Sequence, residues 1–190
     1  RAPKEVTGLT PLCPSDNAET GARALSMREV EEVVEDFISA AIRAERAGFD
    51  GIELHGAHGY LLCQFFSQET NRREDAYGGS LFNRSRILFD MIDGIRQSCG
   101  PNFIVGVRLS AERFGMKLDE SIALAKRLCK EGNIDFLDMS LWDVFKEPNE
   151  KEKQGRSLLS YFNEIDRGEV RLGVAGKIRT PDDAERILAE

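Results

Sequence analysis

From Ser26 onward, apolar positions recur at helical spacing: Val30, Val33, Val34, Phe37, Ile38 and Ala41 line up on one side. Ser26 and Glu29 fit an S-x-x-E capping box in front of them, and Gly48 sits where a C-terminal cap belongs. The short run Gly51-Ile52-Glu53-Leu54 then reads as a strand. The same grammar repeats. A second helix is predicted from about Phe82 to Ser98, with Ile87, Leu88, Met91, Ile92 and Ile95 on one face and Gly100-Pro101 as its stop. The nearly continuous apolar run Phe103 to Val107 is the next strand. A third helix spans about Asp119 to Glu131, ended by Gly132, and Ile134 to Met139 is a third strand. A polar link from Trp142 to Arg156 precedes a short helix near Leu158 to Ile165 and a strand from Val170 to Ala175. Thr180 as N-cap and Pro181 at the first helical position open a last helix. Residues 1–25, with Pro3, Pro11 and Pro14 among Gly, Ser, Thr and Asn, read as an extended loop.

The chain is therefore one domain, residues 1–190, with repeated helix–strand units over 26–190. Alternating helices and β-rich runs imply a parallel sheet with crossover helices. The strands are nearly continuously apolar, as when both sheet faces are covered. The similar junctions Gly48-Phe49-Asp50 and Gly132-Asn133-Ile134-Asp135 hint at a repeated unit. A doubly wound sheet and a (β/α) barrel both fit. No G-x-G-x-x-G follows any strand, which lowers the weight of a dinucleotide-binding sheet.

Composition narrows the function classes. Hydrophobic residues make up 41% and charged residues 31% of 190, an ordinary globular balance. The net charge of −7 with scattered Lys and Arg speaks against nucleic acid or an anionic membrane as partner. No apolar run is long enough to cross a bilayer, and Arg1-Ala2-Pro3-Lys4 does not read as a signal peptide, so a cytoplasmic location is expected. Cys13, Cys63, Cys99 and Cys129 form no C-x-x-C pair, so free thiols are expected and neither zinc nor a disulfide framework is.

In a parallel α/β protein the working residues gather where strands end at their C-terminal side. Here those segments are His55-Gly56-Ala57-His58-Gly59-Tyr60, Arg108-Leu109-Ser110, Ser140-Leu141-Trp142 and Gly176-Lys177. Both histidines and the single Trp fall within them. Each residue also has a plainer reading. Two His three apart could bind a metal, but no third ligand is evident. Tyr60 could be a core residue with a satisfied hydroxyl, and Gly176 could be a turn glycine. Arg108 is harder to set aside, because a guanidinium at the end of an apolar strand needs an acceptor.

The stretch from Gly48 through His55-Gly56-Ala57-His58-Gly59-Tyr60 to Ser67, and the block Asn71-Arg72-Arg73-Glu74-Asp75-Ala76-Tyr77-Gly78-Gly79-Ser80-Leu81-Phe82-Asn83-Arg84, closely resemble the old yellow enzyme family of FMN-dependent oxidoreductases. Weaker similarity lies at Ala2-Pro3, Pro14-Ser15, Val107 to Ser110 and Gly176 to Thr180. The resemblance implies an α/β fold, a (β/α)8 TIM barrel, of which this chain carries about strands four to seven. A half barrel by itself would need missing parts, a partner copy or a swapped arrangement to cover its edges. The resemblance also implies FMN as cofactor and NAD(P)H as reductant, with hydride passed to the activated C=C bond of an enone. His55 and His58 are then the pair that hydrogen-bonds the oxygen of an enone or phenolic ligand, and Tyr60 the proton donor. Arg108 faces the flavin N1–C2=O side, Gly176 helps hold the FMN phosphate, and Lys177 is a weaker candidate beside it. The Asn71–Arg84 block reads as structural: Asp75 pairs with Arg72, Arg73 or Arg84, and Ser80 or Asn83 caps a helix. The partner is a small molecule, with a homo-oligomer one of the assemblies open to it. An iron–sulfur relative of dienoyl-CoA reductase or amine dehydrogenase type, and a truncated paralogue unable to hold FMN, stand as alternatives.

Overall fold

The computed structural model describes residues 4–131 and 133–189. The Gly132 stop and the Ala2-Pro3 similarity lie outside them. The leading segment is extended apart from one helical turn, α1 (Lys4–Thr7), and a two-residue ladder between β1 (Leu12–Cys13) and β2 (Arg23–Ala24). The first long helix, α2 (Met27–Arg46), starts as its sequence demands. The Ser26 hydroxyl accepts from the Glu29 N–H, and the Glu29 carboxylate accepts from the Ser26 N–H. That reciprocal cap satisfies two helix-end donors.

There follow β3 (Gly51–Gly56), α3 (Leu61–Phe66), α4 (Leu81–Arg84), α5 (Arg86–Ser98), β4 (Ile104–Ser110), α6 (Leu118–Glu131), β5 (Phe136–Ser140), α7 (Ser160–Asn163), β6 (Arg171–Ala175) and α8 (Pro181–Ala189). Three expectations are corrected. The helix over 82–98 is two helices, broken at Ser85. No helix is predicted at Leu61–Phe66, where the six-residue α3 is too short to show helical periodicity. β3, β4 and β5 end later than the apolar runs suggest, so His55 and Arg108 sit within strands and not beyond them, whereas β6 ends at Ala175 as expected.

The four long strands form one parallel sheet in the order β3-β4-β5-β6. A doubly wound sheet reverses order at a switch point. This one does not reverse, as in a barrel wall. Alternate residues point to opposite faces. Leu54, Val105, Val107, Leu109, Leu137 and Met139 are buried in one core with Val30, Val34 and Ile38 of α2 and Ile87, Met91 and Ile95 of α5. The other face carries Glu53, His55, Arg108, Ser110, Asp138 and Ser140, so an unbroken apolar run was never to be expected there.

Candidate active site

Strand register places the site. His55 of β3 pairs with Arg108 of β4, and Arg108 with Asp138 of β5. These three share one rung of the open face. One rung toward the C-terminal edge, Ser110 pairs with Ser140 and Ser140 with Ala175.

After Gly56 the chain turns sharply, with His58 at φ 60° and Gly59 at φ 72°. A non-glycine residue in that region is held there by its surroundings. Here the Tyr60 N–H donates to the Ala57 carbonyl at 3.2 Å, Gln64 Nε2 to the Gly59 carbonyl at 2.6 Å, and the His58 N–H to Ser110 Oγ at 3.1 Å. His58 Nε2 lies 2.7 Å from Ser140 Oγ. The turn is thereby tied to β4 and β5. The imidazoles of His55 and His58 meet edge-on at 5.0 Å between centroids, and the Tyr60 ring lies 5.4 Å from that of His55. Tyr60 and His58 are exposed and His55 is half-buried.

Burial, the neighbouring His58 and the Arg108 guanidinium hold the His55 imidazole below its ordinary range, against the opposing pull of Asp138. Burial and Arg108 do the same to His58. The shift favours the neutral form of both rings, in which each has one N–H to give. Arg108 Nε is 3.3 Å from Asp138 Oδ2 but makes no hydrogen bond with it; that buried N–H has no partner among the described residues. That N–H is closed off beside Asp138, while the partly exposed guanidinium as a whole presents its positive charge to the open face.

Gly176 and Lys177 lie on the same rim but two strands along from Arg108, roughly 10 Å at ordinary strand spacing. Gly176 has φ 149°, and a Cβ there would stand 2.7 Å from the Trp142 carbonyl carbon and 2.8 Å from the Asp143 nitrogen. The Lys177 ammonium is 3.1 Å from Asp143, whose carboxyl its hydrogen bond holds below the usual carboxylate range. Four candidates, His55, His58, Tyr60 and Arg108, are thus brought together at one end, and Gly176 and Lys177 stand apart. Asp138, Ser110 and Ser140 were not picked out as site residues. An Asp inside the apolar run Phe136 to Met139 was the available signal, of the same kind that singled out Arg108.

The Asn71–Arg84 block holds the scaffold. Asn71 Nδ2 donates to the Phe65 and Tyr77 carbonyls at 2.7 and 2.8 Å. Arg73 pairs with Asp75 at 2.6 Å and donates to the carbonyls of Pro14 and Leu25, clasping the leading segment. The wholly buried Arg84 pairs with Glu120 of α6 at 2.6 Å, and Ser80 caps α4.

Comparison with known proteins agrees with the parallel α/β fold. Residues 2–190 match the model of the NADH:flavin oxidoreductase / NADH oxidase family. An NADH oxidase of Thermoanaerobacter brockii is 39% identical over 99% of the chain and 30% of its own length. An old yellow enzyme homologue from Zymomonas mobilis superposes with TM-score 0.79 at 29% identity, over 99% of the chain and 56% of its own. Histamine dehydrogenase from Rhizobium sp. 4-9 superposes with TM-score 0.81 at 27% identity, over 99% and 29%. The chain thus spans between about a third and a little over half the length of these relatives.

Proposed function

The chain belongs to the NADH:flavin oxidoreductase / NADH oxidase family, a family of FMN-binding, NAD(P)H-oxidising proteins, and on that premise we propose that it carries the substrate-activating residues of an enzyme that reduces the activated C=C bond of an enone. The fold is correspondingly an α/β TIM barrel, of which this chain is part. The observation that carries the reading is the shared rung: His55 and Arg108 are direct neighbours on the open face.

Bound FMN would supply two-electron chemistry, taking hydride from NAD(P)H and passing it to the alkene. The residues present fit that group. Arg108 would face it, offering a fixed positive charge to an electron-rich ring carbonyl. Gly176, whose lack of a side chain lets the Trp142–Asp143 backbone pack against the β6 rim, would lie near its phosphate, with Lys177 behind it. The remaining work falls to the β3 turn. His58 Nε2 and the Ser140 hydroxyl share a hydrogen bond whose direction follows the imidazole tautomer; in the tautomer that accepts from Ser140, His58 keeps Nδ1–H for a ligand, and His55 lies close by. Two neutral donors aimed at a carbonyl oxygen stabilise the enolate charge that develops on reduction. The same pair would hold a phenol oxygen. Tyr60, exposed beside His55, is the candidate to give a proton to the α-carbon.

The test is to purify the protein, add FMN, and follow the two half-reactions separately. We expect flavin uptake, and Tyr60→Phe to slow enone reduction by about 100-fold while flavin bleaching by NAD(P)H is unchanged. A colourless protein that takes up no FMN ends the proposal. Equal loss in both half-reactions removes Tyr60 from its role.

A further inference from the structure

Beside His58 a cavity of about 270 Å³ opens between the loops that follow β4 and β5. It is too small for a whole substrate and suits one planar group with a short tail. Phe114 and Trp142 form its aromatic walls, and Leu141 and Leu158 supply aliphatic ones. At its back, Lys146 is neutralised by the buried Glu112, whose other oxygen accepts from the Asn149 N–H at 2.8 Å. At its mouth lies Arg113. The Arg113 guanidinium sits 4.4 Å from the Trp142 ring centroid and 5.4 Å from that of Phe114. It is exposed, and among the described residues it has no carboxylate partner. The Phe114 ring is in turn 6.3 Å from the His58 imidazole.

The backbone around this mouth is held in costly conformations. Arg113, Phe114 and Trp142 have φ of 100°, 55° and 66°. Ordinary loops avoid placing large side chains there, and such clusters mark sites where side-chain direction matters.

We propose that this cavity is a specificity pocket for the electron-accepting substrate, which is a flat unsaturated or aromatic molecule ending in a carboxylate. The oxygen to be activated sits on the His55–His58 pair, the planar body runs past Phe114 and Trp142, and the carboxylate meets Arg113. The proposal rests on the function argued above and adds the substrate class to it. An aromatic-stacked guanidinium is poised for this task, because stacking fixes its plane and leaves its edge free for two N–H···O bonds to a carboxylate.

Trp142 is the chain's single tryptophan, so its fluorescence reports on this pocket directly. The FMN-loaded protein is titrated with 3-(4-hydroxyphenyl)propanoate and with the matching propanamide, which differ only in charge. We expect the carboxylate to perturb Trp142 emission and to bind about tenfold more tightly than the amide. Arg113→Met should erase that preference and Arg113→Lys should keep part of it. Equal affinities in the unaltered protein, or a preference that survives Arg113→Met, would overturn the proposal. So would a loss in Arg113→Met confined to NADPH affinity, since it would assign the cation to the reductant. An enzyme that reduces enones yet ignores the ligand charge refutes the pocket alone. A protein that keeps the preference but reduces no enone supports the pocket and refutes the proposed reaction.

Discussion

Gly176→Ala is the sharpest perturbation the structure offers. The residue has φ 149°, where an L side chain costs about 1–3 kcal/mol. The new methyl would also stand 2.7 Å from the carbonyl carbon of Trp142, 2.8 Å from the nitrogen of Asp143 and 3.0 Å from that of Trp142. All three are backbone atoms, so no rotamer change relieves the overlap. The Leu141–Val144 strap cannot swing away cheaply, because the Leu141 N–H donates to the Ala175 carbonyl at 2.9 Å and the Val144 N–H to that of Gly176 at 3.2 Å. Overpacking of this kind adds about 1–3 kcal/mol. The sum centres on about 4 kcal/mol, which lowers Tm by roughly 8–16 °C in a chain of this size. Gly79→Ala is the control. Gly79 also has a positive φ, 79°, but nothing stands within 4 Å of its added methyl. It should cost about 1 kcal/mol, from the backbone conformation alone. Thermal unfolding followed by circular dichroism compares the two. If Gly176→Ala is no more destabilising than Gly79→Ala, the close approach of the β5 and β6 loops is not what requires glycine there.

Three further expectations follow from the site and its scaffold. The imidazoles of His55 and His58 are held below their ordinary range, so the unfolded chain binds their protons more readily. Their stabilisation is complete above the unfolded pKa of about 6.5 and is lost as pH falls through the depressed folded values. Because these are the only two histidines, the double change to Gln should flatten stability against pH just below that point, as read from urea midpoints, and should weaken phenol binding; an unchanged slope would contradict the depressed values. Asp138→Asn removes the carboxylate that opposes Arg108, so NMR titration should find both imidazoles less basic still, with stability lower by about 1–2 kcal/mol for this partly exposed pair; imidazoles that become more basic would refute the electrostatic account. Asn71→Ala leaves the Phe65 and Tyr77 carbonyls unsatisfied in a buried setting and should cost about 2–4 kcal/mol in denaturant unfolding, and a loss under 1 kcal/mol would mean that water replaces the amide.

Local chemistry made part of the molecule legible from residues alone. The Ser26–Glu29 box, the apolar stripe of α2, the Thr180-Pro181 start of α8 and the alternation of helix and strand follow from interactions within a few positions, and each is realised. The histidine–tyrosine turn was visible too, because its residues are consecutive. β3, β4 and β5 run past their apolar stretches for a physical reason. Apolar continuity marks a strand covered on both faces, but half the side chains of these strands point toward an open face that carries His55, Arg108, Ser110, Asp138 and Ser140. The β-pairing continues through polar residues whose work is done on that face.

Other features depended on register and strand order, which no local pattern encodes. Asp138 opposes Arg108 only because β5 pairs with β4 at one particular offset, and a slip of one residue would turn it to the other face. Ser140 reaches His58 across 82 positions of chain. The need for glycine at 176 comes from Trp142 and Asp143, and the Arg113 cavity from two loops that meet only when the sheet is built in sequential order. Periodicity sets what each segment is, whereas pairing of distant backbones decides which side chains face one another.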